Sequence, residues 1–294
     1  MPEHRRLVVC ASHSPGMERD VERTFGAGFR SGLAFAAEVV ADFDPELVVL
    51  FGGDHRRAFR NIVPAFGVAL SATILPEGGH DAGALTVPDL ALDLAEFLLD
   101  SDIDVAVCRE VALDHAFAQP LRDLTGALQR YPVIPIPVNC ATGPLPSARR
   151  TLAVGEAVGR FLDQCDQRVL VIGTGGLSHS PPSLELDAFD ISDEERRRVI
   201  AEGAAAARKK IKPQWDNAFL EALNEPDLSR LADLTDAARS LAGVGANEVR
   251  TWLAAVAAGG GDPLSPVVYE PVEEWITGMG LAMSRWGATE FVSL

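Results

Sequence analysis

The chain has 294 residues, 47% of them apolar and 23% charged, which is enough apolar material to enclose a large core and excludes a disordered or fibrous protein. Its 42 acidic and 26 basic side chains leave a formal charge of −16, a sign that repels phosphate backbones and anionic lipid heads, so neither nucleic acid nor a membrane is expected as a partner. No apolar stretch approaches the ~20 residues of a membrane span, the run behind the basic N-terminus is too short for a signal peptide, and Cys10, Cys108, Cys140 and Cys165 form no CxxC pair, so a cytoplasmic protein with reduced thiols is expected.

In chain order, β-branched runs at 7–10, 47–51, 105–108, 133–138 and 169–172 are continuously apolar, the pattern of strands buried on both faces of a sheet with parallel character. Segments of helical period at 25–43, 91–99, 116–129 and 147–162 lie between or beside them. The alternation predicts an α/β fold: a three-layer α/β/α core with a largely parallel or mixed central sheet over about residues 1–190. Pro132, Pro135 and Pro137 remove ladder donors from the fourth run and put it near a sheet edge. From about residue 191 to 258, charged and alanine-rich stretches at 193–212, 215–223, 233–241 and 246–258 predict a helical C-terminal layer. Gly259–Gly260–Gly261–Asp262–Pro263 then breaks the pattern before a last segment, 262–294, that carries Glu270, Glu273 and Glu274. Nothing marks a linker or a repeat, and one domain is expected.

Four of the six histidines share a context, an apolar run followed by a small or acidic residue and then His: Cys10–Ala11–Ser12–His13, Gly52–Gly53–Asp54–His55, Ala112–Leu113–Asp114–His115 and Gly176–Leu177–Ser178–His179. A single histidine after a strand is commonly a hydrogen-bonded structural group. Four in one context, at the strand ends where parallel sheets form their crevice, point to one pocket. His4 and His80 lack the pattern and read as surface residues. Known local motifs fail: there is no H-E-x-x-H, Gly173–Ser178 lacks the third glycine of a dinucleotide loop and the lysine of a P-loop, and Gly176–Ser180 ends in serine where a nucleophile elbow has glycine. What remains is a metal site with dispersed ligands, since two imidazoles and one carboxylate on one face of an octahedral iron(II) leave three positions open. Glu270, Glu273 and Glu274 are candidate carboxylates, against the alternative of a solvated acidic helix start.

Several longer segments carry a resemblance: Ser12–His13–Ser14–Pro15, residues 45–51 leading into Asp54–His55, residues 114–121, Gly175–His179 with Pro181–Pro182, Trp215–Asp216–Asn217, residues 251–255, and Glu274–Trp275. On these the chain resembles the class III extradiol ring-cleavage dioxygenases, and within them the branch acting on 3-substituted catechols such as 2,3-dihydroxyphenylpropionate. The resemblance implies an Fe(II) enzyme that opens a catechol with dioxygen to a ring-opened keto-enol acid, and a homo-oligomer. It assigns His13, His55 and Glu274 to the metal and His115 and His179 to proton transfer, without saying which is base and which acid. The branch carries Tyr-Asn-Gly-Phe after the Asp-His pair, where this chain has Arg56–Arg57–Ala58–Phe59. Arg56 and Arg57 would either recognise a substrate carboxylate or form surface salt bridges, and both readings stay open. A zinc-dependent hydrolase on the same ligands and a non-catalytic binding module are the competing functions.

Overall fold

A computed structural model describes residues 5–76, 82–186 and 192–286. Four of the apolar runs form the parallel part of a six-stranded sheet: β1 (Arg6–Ala11), β2 (Leu47–Gly53), β3 (Val133–Val138) and β4 (Val169–Thr174). The last segment supplies β5 (Ser265–Val272) and β6 (Thr277–Met283), a hairpin lying antiparallel on β1 with Val9 opposite Met283 and Ala11 opposite Leu281. The strand order is β5-β6-β1-β4-β2-β3, so the sheet is mixed.

The proline-bearing run is the edge strand β3. Pro135 and Pro137 face Leu50 and Gly52 of β2. Val133 N and Asn139 N, in phase with those prolines, donate away from β2, to Thr86 O and Ala65 O. The missing N–H groups therefore fall on the outer side of the edge, where no ladder bond is lost. The run at 105–108 does not join this sheet; Ala106–Cys108 pairs with Gly67–Ala69 in a separate two-stranded sheet.

Helices cover both faces. On one lie α1 (Ala27–Phe43) and, beyond α2 (Leu90–Asp100) in the chain, α3 (His115–Thr125). On the other lie α4 (Ala148–Leu162), α6 (Pro213–Leu223), α7 (Ser229–Ala242) and α8 (Val249–Ala258), joined by α2, while α5 (Asp193–Arg208) packs on the short Pro182–Glu185 helix. Every residue of α8 is buried between the sheet and α4, which its alanines allow by keeping the helix thin. Gly173 of β4 permits the approach, because a Cβ there would stand 2.8 Å from Thr251 O. Thr251 Oγ1 donates to Thr174 O (2.7 Å) and Trp252 Nε1 to Gly175 O (3.1 Å), pinning the start of α8 to the carboxyl end of β4. No described helix is long and apolar enough to cross a membrane.

Candidate active site

The four histidines of the shared context do converge. His13 follows β1, His55 follows β2 and His179 follows β4, while His115 opens α3 after the short Val111–Leu113 strand. The His13 ring lies 5.3 Å from the rings of both His55 and His115, and those two stack at 4.4 Å. Donor atoms of His13, His55 and His115 all lie within 4.8 Å of one another, a group that could hold a metal ion. His4 and His80 fall outside the described residues.

Asp114 organises two of these rings. As N-cap of α3 its Oδ1 accepts from Ala116 N (2.9 Å), which sets where the helix begins and hence where His115 stands. Its Oδ2 accepts from His55 N (2.9 Å) and lies 3.0 Å from His55 Nδ1, turning His55 Nε2 toward the cluster. Burial alone would raise the Asp114 carboxyl, but His55 and His115 beside it pull it far below the usual carboxylate range. The His13 Nδ1 atom lies 2.8 Å from Thr174 Oγ1, leaving Nε2 facing inward. His179 Nδ1–H donates to Leu177 O (2.8 Å), so Nε2 of that ring also faces the cluster.

The carboxylate that joins these rings is Glu248, in a 3₁₀ turn (Gly245–Glu248) at the start of α8. Its Oε1 lies 3.0 Å from His55 Nε2 and 3.7 Å from His179 Nε2, and its Oε2 lies 3.8 Å from His13 Nε2. Oε2 also accepts from Gly176 N (2.7 Å). Burial pushes Glu248 up, yet the surrounding imidazoles hold it well below the usual range, and it stays a carboxylate. His55, depressed by burial, is held well above its ordinary value by Asp114 and Glu248, whereas burial takes His13 down to about 3.

Glu274, by contrast, is exposed in the turn between β5 and β6, and so is Glu273. Glu270 accepts from Phe29 N (2.8 Å) at the start of α1. None of the three is brought to the histidines. Trp275, the neighbour that carried the match, is buried at the cavity wall with the Arg30 guanidinium 5.0 Å from its ring. Arg56 is buried with left-handed backbone, and its guanidinium donates to Leu186 O and Ala141 O, tying two loops together. Arg57 lines the cavity.

The group fits a bound cation on three observations. Nε2 of His13 is buried and makes no hydrogen bond. Two ionised carboxylates, Asp114 and Glu248, are sunk among the rings, so the site calls for positive charge. The donor set, imidazole nitrogen with carboxylate oxygen, suits a first-row divalent metal. A cavity of about 960 Å³ opens over the cluster, walled by Leu75, Pro76, Ala112, Leu184 and Trp275.

The model of the catalytic LigB subunit of aromatic ring-opening dioxygenase matches residues 7–280. A 2,3-dihydroxyphenylpropionate/2,3-dihydroxicinnamic acid 1,2-dioxygenase of Paraburkholderia xenovorans is 42% identical, over 95% of this chain and 97% of its own. Proteins of the same description from Cupriavidus necator and Photorhabdus laumondii are 39% and 37% identical over 94% and 95% of this chain, covering 94% and 96% of their own. Among solved structures, an uncharacterized protein from Escherichia coli K12 superposes with a TM-score of 0.54 at 14% identity, over 94% of this chain and 98% of that one, a likeness of fold alone.

Proposed function

Since this chain belongs to the LigB family of aromatic ring-opening dioxygenases and is a ring-cleaving dioxygenase, we propose that it opens 2,3-dihydroxyphenylpropionate, or a closely related 3-substituted catechol, in an iron(II)-dependent extradiol reaction. The convergence of four histidines and Glu248 beneath one cavity carries this reading. His13, His55 and Glu248 would hold the metal, with Glu248 in the role the sequence reading gave to Glu274. When bound, iron(II) supplies a Lewis acid for the catechol oxygens and a route for electrons from ring to dioxygen.

The remaining chemistry belongs to the chain's own residues. The Leu177 carbonyl fixes a proton on His179 Nδ1 and turns Nε2 toward the cavity, the atom that would take the proton from a catechol hydroxyl. His115, stacked on His55, is then left as the acid that returns a proton to the departing oxygen during ring opening. The apolar walls seat the ring and exclude water.

Anaerobic reconstitution with iron(II), followed by 2,3-dihydroxyphenylpropionate and air, should consume oxygen and generate a yellow ring-opened product. Fully loaded protein that turns over no catechol would sink the reading. Replacing His179 by Gln should cut kcat by about 10²–10⁴-fold while KM moves little.

A further inference from the structure

We propose that Asp216, on α6, is the positioning residue for His179, and that it acts through a single peptide group, the one joining Leu177 to Ser178. The proposal rests on the reading of His179 as the group that takes the catechol proton. It gives a task to the Trp215–Asp216–Asn217 segment, one of the matching stretches in the sequence.

Both ends of that peptide are engaged. Its carbonyl, Leu177 O, accepts from His179 Nδ1 (2.8 Å), and because a carbonyl can only accept, this bond decides which ring nitrogen holds the proton. Its N–H, on Ser178, donates to Asp216 Oδ1 (2.7 Å). A peptide group is planar, so holding the N–H at one end sets where the carbonyl at the other end points. A carboxylate on the N–H also polarises the group and strengthens the carbonyl as an acceptor. Carboxylate, peptide and imidazole thus form a relay. An aspartate performs the same task by direct contact in a Ser-His-Asp triad, whereas here one peptide is interposed.

The carboxylate is itself held in place. Asp216 is completely buried in the first turn of α6. Its Oδ2 accepts from Ser178 Oγ (2.6 Å) and from Tyr269 OH of β5 (2.7 Å), and Ser178 Oγ accepts in turn from Lys212 N (2.7 Å), just before α6. Burial raises the Asp216 carboxyl, and the Ser178 and Tyr269 donors oppose the rise. Gly278 of β6 makes the room, because a Cβ there would stand 2.3 Å from Asp216 Oδ2. Around the imidazole the backbone is pinned from other sides as well: Leu177 N donates to Gly278 O, Gly278 N to Ser178 O and Gly245 N to His179 O, each at 3.0 Å. Those bonds place the loop. The bond from Ser178 N to Asp216 is the one that bears on the Leu177 carbonyl and hence on the ring proton.

The test reads the ring nitrogens directly, in metal-free protein. The chain has six histidines, so isotopic labelling of histidine alone resolves their ring nitrogens by NMR, and His179→Gln identifies the His179 signals. The parent should carry its proton on Nδ1, and Asp216→Ala should divide it between Nδ1 and Nε2. With iron-loaded protein, Asp216→Ala should lower kcat by about 10²-fold with KM within about twofold, less than the ~10⁴-fold cost of a wrong tautomer in a triad because other bonds still steady the ring. Asp216→Asn keeps the shape and one acceptor but replaces a charge-assisted bond by a weaker neutral one, so it should fall between, with kcat down by about threefold to tenfold. Should the alanine variant fail to fold, the asparagine variant decides alone. Tyr269→Phe, which removes a bond from Oδ2 only, should keep the parental nitrogen signature. A folded Asp216→Ala or Asp216→Asn protein with the parental signature overturns the proposal. So does a Tyr269→Phe protein that divides the proton as fully as Asp216→Ala, since any damage to the network would then suffice. The signature needs neither metal nor substrate, so the relay and ring cleavage fail separately: a divided proton in Asp216→Ala supports the relay even where no catechol is turned over.

Discussion

At the scale of single residues, the site turns on which carboxylate sits among the imidazoles. Glu248→Gln keeps the shape of the side chain and removes the charge facing His13, His55 and His179. It is expected to lower iron(II) affinity by at least about the 10–100-fold seen for losing a group behind a metal ligand. Glu274→Gln should leave metal content unchanged, and elemental analysis of the two purified variants decides between them. The histidines were legible because each follows an apolar run in the same way. Glu248 was not, although a signal was there: it opens a stretch, Val249–Ala258, in which Arg250 is the only other charge. A carboxylate at the head of a helix with no polar face is forced into the interior, and an interior carboxylate needs a cationic partner. Glu274 stands beside a matching tryptophan, but adjacency in sequence is not adjacency in space. In an extended or turning segment neighbouring side chains point to different sides, so Trp275 goes in and Glu274 goes out.

At the scale of elements, close approaches position the histidine cluster. Gly245 lets its turn lie against His179, because a Cβ there would fall 2.3 Å from His179 Nε2. Gly245→Ala should displace the imidazole and reduce kcat strongly, with a stability loss of about 1–3 kcal/mol read by chemical denaturation. A different prediction belongs to α3. Burial raises the Asp123 carboxyl to about 6 against the opposing pull of Arg30 and Arg122. Because the folded value lies above the unfolded one of about 3.9, folding binds the proton more tightly. Its contribution is complete below pH ~4 and is lost as pH rises through about 6. Asp123→Asn should therefore raise the unfolding free energy above pH 7 by about 1–2 kcal/mol and have little effect near pH 4. The apolar runs revealed four of the sheet strands because burial on both faces leaves no polar alternation. The β5–β6 hairpin was harder to see, since Pro266, Pro271, Gly278 and Gly280 interrupt its β-forming residues and its pairing with β1 is long-range.

For the whole molecule, metal and fold should be linked. A cation that binds only the folded chain stabilises it by about 2.7 kcal/mol at a hundred times its Kd. Anaerobic iron(II) is thus expected to raise the Tm by roughly 5 °C, and the same addition to Glu248→Gln should raise it far less. The layered α/β architecture was readable in outline from alternation. The cavity lining was not, because its residues come from separate elements, Arg60 from the loop after β2 and Arg197 from α5. The dispersal of the cluster along the chain also sets an order in time. His13, His55, His115 and His179 all precede Glu248, and the hairpin that covers the free edge of β1 comes later still. A polypeptide emerging from the ribosome carries its imidazoles well before it carries the carboxylate that draws them together, with one edge of its central sheet still bare. The centre therefore closes only after Glu248 has been added, and metal that arrives earlier meets the imidazoles and Asp114 without it.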